Sequence, residues 1–422
     1  MAGEWTAMRL GDVCPKIGSG ATPRGGSGVY LDSGEVALIR SQNVYNDGFR
    51  HDGLAFITPH HAKELENVEL MCGDVLLNIT GDSVARSCQV DDSVLPARVN
   101  QHVAIIRPDP ERLDPRYLRY FLVSPNVQAR MLSWAGSGGT RDALTKGMIE
   151  SFEILAPVDV GEQRAIAHVL GTPDDKIELN RRINETLEAI AQALFKSWFV
   201  HFDPVRAKMA GRQPFGMDAA TAALFPDSFE DSPLGKIPKG WRVCTIGDVI
   251  ELAYGRALKD TARRPGPYPV YGSNGCVGWH DEYLVRGPGI VVGRKGNPGT
   301  VTWVPTDFFP IDTTFYVVPK QSADGMHYLF HSLRQQDLAS LGADSAVPGL
   351  NRNMAYMSDF LLPPEPVIAA FEGYGCALSA RVHANDVESQ KLAELRDTLL
   401  PKLLSGQVHV KDAERFIAEV MP

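Results

Sequence analysis

The sequence predicts a duplicated protein, in which two similar strand-rich heads are each followed by a long helix. Three observations carry this. Trp5-Thr-Ala-Met-Arg-Leu-Gly-Asp-Val13 returns as Trp241-Arg-Val-Cys-Thr-Ile-Gly-Asp-Val249. Each copy opens a stretch rich in Gly, Pro and β-type runs. Each stretch then passes through a proline, in Leu155-Ala-Pro157 or Leu362-Pro-Pro364, into a long helical segment. A rod carrying two similar heads suits the reading of two half-sites better than the running of one reaction.

Bulk properties narrow the class. A chain of 422 residues exceeds one ordinary core, so two or three domains are expected. With 44% hydrophobic and 22% charged residues, its composition is that of a soluble protein. No apolar run approaches the roughly 20 residues that span a bilayer. The start, Met-Ala-Gly-Glu-Trp, lacks the basic-then-apolar pattern of a signal peptide. Cys14, Cys72, Cys88, Cys244, Cys276 and Cys376 include no C-x-x-C pair, which points away from a zinc ribbon or a disulfide framework and toward reduced thiols in a cytoplasm. A net charge of −9 opposes nonspecific nucleic-acid binding by the whole chain, so a DNA reader of this composition needs local basic patches or basic partner subunits.

The elements follow in order. Val36–Arg40, Asp74–Asn78 and His102–Arg107 read as strands of the first head, and Pro115–Val123 as a short helix. Residues 134–147 read as a polar loop. Between Asp174 and Val200 there is no Gly or Pro, and Ile183, Leu187, Ile190 and Leu194 recur at 4-3-4 spacing, with Ile177 and Asn180 before them. That is a coiled-coil seam, and Asn180 and Asn184 on or beside it are of the type that sets register. Thr172-Pro173-Asp174 marks a helix boundary by the same rules. Residues 201–240 read as a Pro/Gly-rich linker with one short helix near Ala219–Leu224. In the second head Tyr268–Gly272, Gly289–Gly293, Thr300–Val304 and Thr314–Val318 read as strands and Met326–Leu341 as a helix. Residues 366–404 form the second long helix, with Val382, Asn385, Leu392, Leu395, Leu399 and Leu403 on its seam. Pro401 is expected to kink or end it. The repeat continues inside the heads: Tyr117-Leu-Arg-Tyr-Phe-Leu122 matches Tyr328-Leu-Phe-His-Ser-Leu333, and Gly139-Thr-Arg141 matches Gly349-Leu-Asn-Arg352.

Catalytic patterns are missing from the sequence. Gly18–Gly26 and Gly293–Gly299 are Gly-rich, but neither has the G-x-x-x-x-G-K-[ST] spacing of a phosphate loop. His60-His61 has no companion ligands at metal-site spacing, and no G-x-S-x-G elbow occurs. The same loops can instead bring donors to a DNA backbone or base edge, with a plain surface turn as the alternative. The donor-rich loop positions are Thr22, Arg24, Gln42, Asn43, Thr140 and Arg141 in the first head, and Ser273, Asn274, Arg294, Lys295, Asn351 and Arg352 in the second. Asn and Gln can pair with adenine and Arg with guanine, although polar turn chemistry uses the same letters.

Glu162-Gln-Arg-Ala-Ile-Ala-His-Val-Leu170, Asp174-Asp-Lys-Ile-Glu-Leu-Asn-Arg-Arg-Ile-Asn184 and Leu194-Phe-Lys-Ser-Trp-Phe-Val-His-Phe-Asp-Pro204 resemble the central region of the specificity subunits of type I restriction-modification systems. Leu10–Val13, Gly18–Pro23 and Ser41–Val44 resemble the opening of their first target-recognition domain. Leu395–Gly406 resembles the end of their distal helix, whereas Phe371-Glu-Gly-Tyr-Gly-Cys376 departs from it by two glycines. The resemblance spans essentially the whole chain. It implies α+β target-recognition domains with twisted sheets at 1–157 and 241–364, a central helical region at 158–204, a linker at 205–240, a distal helix at 365–406 and a tail at 407–422. The two helices would form an antiparallel coiled coil, related by a pseudo-two-fold axis.

The implied function is non-catalytic: each head reads one half of a bipartite duplex DNA site, and the helices dock two methyltransferase subunits, with restriction subunits added. S-adenosylmethionine, ATP and Mg would sit on those partners and not on this chain. Accordingly Leu-Pro-Pro-Glu at 362–365 is not the Asn/Asp-Pro-Pro-aromatic motif of an adenine methyltransferase. Gln163, Ile166, Leu170, Lys176, Ile177, Asn180, Ile183, Leu187, Leu392, Leu395 and Leu399 are the candidates for the spacer and partner-docking helices, each alternatively an intramolecular core residue. The rival readings are a non-catalytic scaffold whose heads bind protein, and a self-contained nucleic-acid enzyme.

Overall fold

The duplication written in the sequence persists down to single hydrogen bonds. A computed structural model describes residues 4–136, 143–320, 325–342 and 349–420. They fall into two compact units, residues 1–179 with 388–422 and residues 180–387.

The first head begins with β1 (Trp5–Arg9), the one-turn helix α1 (Leu10–Val13) and β2 (Lys16–Ser19). There follow β3 (Val36–Ile39), a small hairpin of β4 (Val44–Tyr45) and β5 (Gly48–Phe49), β6 (Ala55–Ile57) and α2 (Pro59–Glu64). Then come β7 (Val75–Asn78), β8 (Ser87–Gln89), β9 (Ala97–Val99) and β10 (Val103–Arg107). The head closes with α3 (Pro115–Val123), α4 (Pro125–Gly136), α5 (Lys146–Glu150) and β11 (Glu153–Pro157), and α6 (Val160–Phe199) leaves it. In the second unit, α7 (Asp203–Met209), α8 (Ala219–Ala223) and the hairpin β12 (Phe229–Ser232) and β13 (Gly235–Pro238) precede the head. The second head itself has β14 (Arg242–Thr245), α9 (Ile246–Val249), β15 (Ile250–Tyr254), β16 (Tyr268–Gly272), β17 (Gly275–His280), β18 (Gly289–Gly293), β19 (Val301–Val304), β20 (Phe309–Pro310) and β21 (Thr314–Pro319). It ends with α10 (Met326–Gln335), α11 (Arg352–Met357) and β22 (Asp359–Leu362), followed by α12 (Glu365–Leu404) and α13 (Val410–Val420).

Three sheets of each head correspond. β1 pairs antiparallel with β11 as β14 does with β22. The four-stranded order β2-β10-β7-β8 is repeated as β15-β21-β18-β19. β3 lies between antiparallel β6 and parallel β9, as β16 lies between antiparallel β17 and parallel β20. The Tyr117 hydroxyl donates to the Leu155 carbonyl on β11 at 2.9 Å, and the Tyr328 hydroxyl donates to the Leu361 carbonyl on β22. The Gly of the recurring Gly-Asp-Val has a packing reason. A Cβ on Gly11 would lie 3.1 Å from the Glu150 carbonyl oxygen of α5, and one on Gly247 would lie 3.0 Å from the Tyr356 Cβ of α11. Gly20 and Gly255, at the exits of β2 and β15, are tighter still: an added Cβ would meet backbone carbonyl oxygens at 2.1 Å.

In the first unit, α6 and α12 complete the head's core: Ile166, Ala167, Val169 and Leu170 share it with Tyr117, Leu118, Leu399, Leu400 and Leu403. Gln163 is fully buried; its amide oxygen accepts from the Asp114 N–H at 2.9 Å and its amide nitrogen donates to the Pro157 carbonyl at 2.8 Å. Gln163, Ile166 and Leu170 are therefore core residues of this chain. The carboxylate of Asp174 gathers three elements. It accepts from Arg119 (2.6 Å) and the Tyr120 hydroxyl (2.7 Å) of α3 and from Arg396 (2.5 Å) of α12. Burial alone pushes this carboxyl up, yet the two guanidiniums and the phenol outweigh it and hold it below the usual carboxylate range. Lys176 pairs with Glu388 at 3.7 Å.

Two helix boundaries differ from expectation. α6 runs unbroken through Pro173, and α12 runs through Pro401 to Leu404. A proline removes one N–H bond; around Pro173 the loss is set against dense tertiary anchoring. Pro173 is itself buried, the Arg116 guanidinium donates to the Gly171 carbonyl at 3.2 Å, and Asp174 makes its three bonds on the next residue. Around Pro401, Leu399, Leu400, Leu403 and Leu404 are all buried in the unit's core.

In the second unit the helix pairing is antiparallel and polar at its centre. Asn180 donates to the Asn385 carbonyl (3.4 Å), Asn385 to Asn184 Oδ1 (2.8 Å), and Asn184 to Asp386 Oδ1 (2.8 Å). Ile183 and Leu187 beside this ladder are half-buried, while in the first unit Ile177 and Leu395 are half-buried and Leu392 is buried. Ile190 is a correction: it is 48% exposed, and Ala191 is buried in its place. Phe195, Trp198 and Phe199 anchor the end of α6 in the second head's aromatic core. Stepping back from Phe195 by one helical turn lands on Ala191, and Ile190 is turned about 100° away. The stretch expected to be a linker carries α7, α8 and the β12–β13 hairpin, and Val205, Met217, Phe225 and Ile237 are buried in the same core. The helix expected over Met326–Leu341 ends at Gln335, with a separate turn at 338–341. Burial lowers both His327 and His331 on α10 to about 4, so both are neutral at pH 7.

Removing the shared carboxylate tests its weight. Asp174→Asn leaves two largely buried guanidiniums without that counter-charge and should destabilise the fold by about 3 kcal/mol at neutral pH, measured by urea unfolding. A carboxyl with a depressed folded pKa contributes fully above its unfolded value of about 4 and loses that contribution as pH falls through the folded value. The gap between wild type and variant should therefore hold from pH 7 to about 5 and narrow below about pH 4.

Candidate nucleic-acid interface

One end of each four-stranded sheet is built from four chain segments that correspond between the heads. In the second head these are the exit of β15, the loop after β18, the turn before β21 and the start of α11. The Gly255 N–H donates to the Thr314 carbonyl (3.1 Å), the Arg294 and Lys295 N–H groups both donate to the Thr313 carbonyl (2.9 and 3.1 Å), and the Leu350 N–H donates to the Arg294 carbonyl (2.9 Å). These backbone bonds bring together side chains that are distant in sequence. Tyr254 is half exposed, and the guanidinium carbons of Arg294 and Arg352 lie over its ring at 5.0 and 4.8 Å. Each guanidinium is also anchored to backbone: Arg294 to the Asp312 carbonyl at 2.8 Å and Arg352 to the Leu252 carbonyl at 3.4 Å. Lys295 is exposed beside them, and a Cβ on Gly296 would lie 3.1 Å from Ser273 Oγ, which places the tip of β16 against the same loop. Two cations fixed over one phenol, with most of their donors uncommitted, form a surface suited to phosphate oxygens or a base edge.

The first head presents the equivalent end with a different set of side chains. The Gly20 N–H donates to the Val103 carbonyl (2.9 Å) and the Leu144 N–H to the Ile79 carbonyl (2.9 Å). Thr22, Gln101, His102 and Thr80 form a chain of side-chain hydrogen bonds: Thr22 with Gln101, Gln101 with the His102 ring at 3.1 Å, and that ring with Thr80 at 2.7 Å. Arg40 lies over Tyr30 at 5.4 Å and donates to the Gly53 carbonyl at 2.5 Å, and Gln42 donates to the same carbonyl at 3.1 Å. Arg24 is exposed.

The residues expected from sequence thus divide. Ser273, Arg294, Lys295 and Arg352 converge on one surface, and Asn274 is exposed at the neighbouring hairpin tip. Thr22 and Gln42 are exposed on the first head. Asn43 is a correction, because it is fully buried: its amide donates to the Arg50 carbonyl (2.9 Å) and accepts from the Arg40 N–H (3.0 Å), which organises a loop. Asn351 is another: it caps α11 by accepting from the Asn353 and Met354 N–H groups. Thr140 and Arg141 lie outside the described residues. The internal match of Arg141 with Arg352 also changes. Leu144 bonds to Ile79 as Leu350 bonds to Arg294, and Thr145 caps α5 as Asn351 caps α11. The counterpart of Arg352 is therefore Lys146.

Tyr254, Gln101, His102 and Thr80 were not singled out from sequence. Tyr254 ends a strand and carries no loop signal, whereas aligning Leu144-Thr145-Lys146 with Leu350-Asn351-Arg352 would have pointed to Lys146.

Among the described residues no helix is long and apolar enough to cross a membrane. A sequence model of the type I restriction modification DNA specificity domain matches residues 2–189 and 238–354, so the two matches fall on the two heads and on most of α6. The chain is 25% identical to the Type I restriction enzyme HindI specificity subunit of Haemophilus influenzae, over 96% of this chain and all of that one. It is 24% identical to the Type I restriction enzyme MjaIX specificity subunit of Methanocaldococcus jannaschii, over 97% and 94%. The fold is similar to the crystal structure of the type I restriction-modification system S subunit from M. genitalium, with a TM-score of 0.58 and 17% identity over 95% of this chain and 96% of that one. With both heads matched and the fold shared, this chain belongs to the family of type I restriction-modification DNA specificity proteins.

Proposed function

We propose that this chain reads a bipartite duplex DNA site, one half with each head, and that it does so as the non-catalytic subunit of a complex with two methyltransferase subunits and restriction subunits. The observation that carries the reading is the pairing of a repeated scaffold with unlike rims. The same backbone bonds build one end of both sheets, yet one rim carries Tyr254, Arg294, Lys295 and Arg352 and the other carries Thr22, Thr80, Gln101, His102 and Lys146, so that only the cation shared by Arg352 and Lys146 recurs. A protein that binds one ligand twice would repeat its rim; one that reads two different half-sites would not. In this reading the paired long helices act as the spacer, with α6 about 60 Å long at 1.5 Å per residue. The chain's net charge of −9 then fits a division of labour in which the partners supply much of the nonspecific DNA clamp, together with S-adenosylmethionine, ATP and Mg.

Head exchange separates this reading from a protein-binding scaffold. Replacing residues 1–157 with the first head of another family member should change one half of the methylated DNA motif and leave the other, as mapped by long-read sequencing of N6-methyladenine in cells that also express the methyltransferase partner. A methylation pattern that does not respond to the exchange, with the partner active, would favour the scaffold.

At finer grain, Arg294→Ala and Arg352→Ala should each weaken binding of the assembled complex to its cognate duplex by about 1–3 kcal/mol. A base contact would show as lost discrimination in only one half-site. A phosphate contact would show as uniform weakening, with the slope of log affinity against log salt reduced by about 0.9. Unchanged affinity in both variants would remove this surface from the interface.

A further inference from the structure

The second unit holds a cluster that the DNA-reading assignment does not use. His327, at the start of α10, and Glu372 and Cys376, one turn apart on α12, place an imidazole nitrogen, a carboxylate oxygen and a thiol sulfur all within 4.8 Å of one another. Two of the three are held in place by their surroundings. The Glu372 carboxylate accepts from the Tyr328 N–H at 2.7 Å and the His327 N–H at 3.2 Å, which caps α10 where its own N-cap residue, Gly325, offers no side chain. The His327 ring stacks on Trp303 with centroids 4.1 Å apart, and its Nε2 lies 3.2 Å from Ser379 Oγ. It also packs flat against the α12 backbone: a Cβ on Gly375 would meet the His327 side chain at 2.5–2.9 Å. This accounts for one of the two glycines that interrupt an otherwise good helix former at 371–376; nothing in the structure requires Gly373. Cys376 is exposed and closes the cluster on its solvent side.

We propose that His327, Glu372 and Cys376 bind a divalent transition-metal ion of the zinc type, with water in the fourth position. Borderline-soft Zn²⁺ takes N, S and O donors together, whereas Mg²⁺ and Ca²⁺ favour oxygen sets. Bonds of about 2.0–2.3 Å place tetrahedral ligand atoms about 3.5 Å apart, so the three donors need to draw together by at most about 1.3 Å. The helix cap explains why Glu372 points at α10, but it gives no reason for a thiol one turn further on at the same spot. Binding converts the Cys376 thiol to a metal thiolate and releases its proton to solvent, with no redox change. The ion would fasten the start of α10 to α12 and so act structurally. The proposal stands independently of what the heads bind.

Cobalt(II), which reports thiolate ligation by a near-ultraviolet sulfur-to-metal charge-transfer band, tests it directly. The full chain is titrated in a Cys72→Ser/Cys276→Ser background, which removes the other two exposed thiols. The expected result is a band saturating at one equivalent, displaced by zinc, and absent after Cys376→Ser. Because Cys376 is exposed, that substitution leaves the packing intact. As a second readout, zinc should raise the melting temperature of the background protein and not that of the Cys376→Ser variant. A titration with no band, a band that survives Cys376→Ser, or an equal zinc response in both proteins would overturn the site.

Discussion

The buried carboxylate of Asp174 is the constraint around which the first unit is organised. A largely buried charge is tolerated only when opposite charges and hydrogen bonds surround it. Here Arg119 and Tyr120 come from the head, Asp174 from α6 and Arg396 from α12. Because the partners are fixed in number and direction, the carboxylate specifies which turn of α6 meets which turn of α12 and where α3 lies against both. Apolar contacts such as Ile166, Leu170 and Leu399 supply more area, but a Leu–Leu contact tolerates a slip that a three-donor carboxylate does not. The neighbouring Gly171 serves the same junction, since a side chain there would occupy the position of the Arg116 guanidinium.

The second unit meets the equivalent demand with three amides and a single carboxylate. Asn180, Asn184, Asn385 and Asp386 form a ladder across the helix pair, flanked by half-buried Ile183 and Leu187. Amides and carbonyls have matched donors and acceptors, so a one-turn shift along the seam would leave buried groups unmet. The two units thus use different chemistry for one purpose, which is to make a single helix register lower in energy than its neighbours.

Much of the architecture was legible in the residues. The repeat of Trp-x₄-Leu/Ile-Gly-Asp-Val marks β1–α1 and β14–α9, and the long apolar runs of β10, β16, β18 and β21 stand out because strands buried on both faces need no alternation. The two- and three-residue strands β8, β9 and β20 have too few residues to show a period. Pro173 and Pro401 misled locally because helix ends are judged from neighbours, while these two helices continue on tertiary contacts made by residues far away in sequence. At the rims, Arg294 and Arg352 were legible as donor-rich loop residues. Asn43 and Asn351 carried the same letters for another reason, since short polar side chains also satisfy loop backbones and helix caps. No single-sequence signal separates these uses; the difference lies in which N–H groups happen to be nearby.

The start of the head helix shows what the duplication has preserved. In the first head, Asp114 caps α3 by accepting from the Tyr117 N–H at 2.9 Å, and Gln163 of α6 accepts from the Asp114 N–H. In the second head the corresponding N-cap is Gly325, and Glu372 of α12 accepts from the N–H groups of His327 and Tyr328. The demand is the same in both, because the first N–H groups of any helix lack partners within it. A long helix reaches the start of the head helix in each case, but only in the second head does it carry the whole cap. The repeat therefore conserves an unmet hydrogen-bonding requirement and the element that meets it, while the residue is free to change. The second copy consequently ties the order of its head helix to α12 more directly than the first ties α3 to α6.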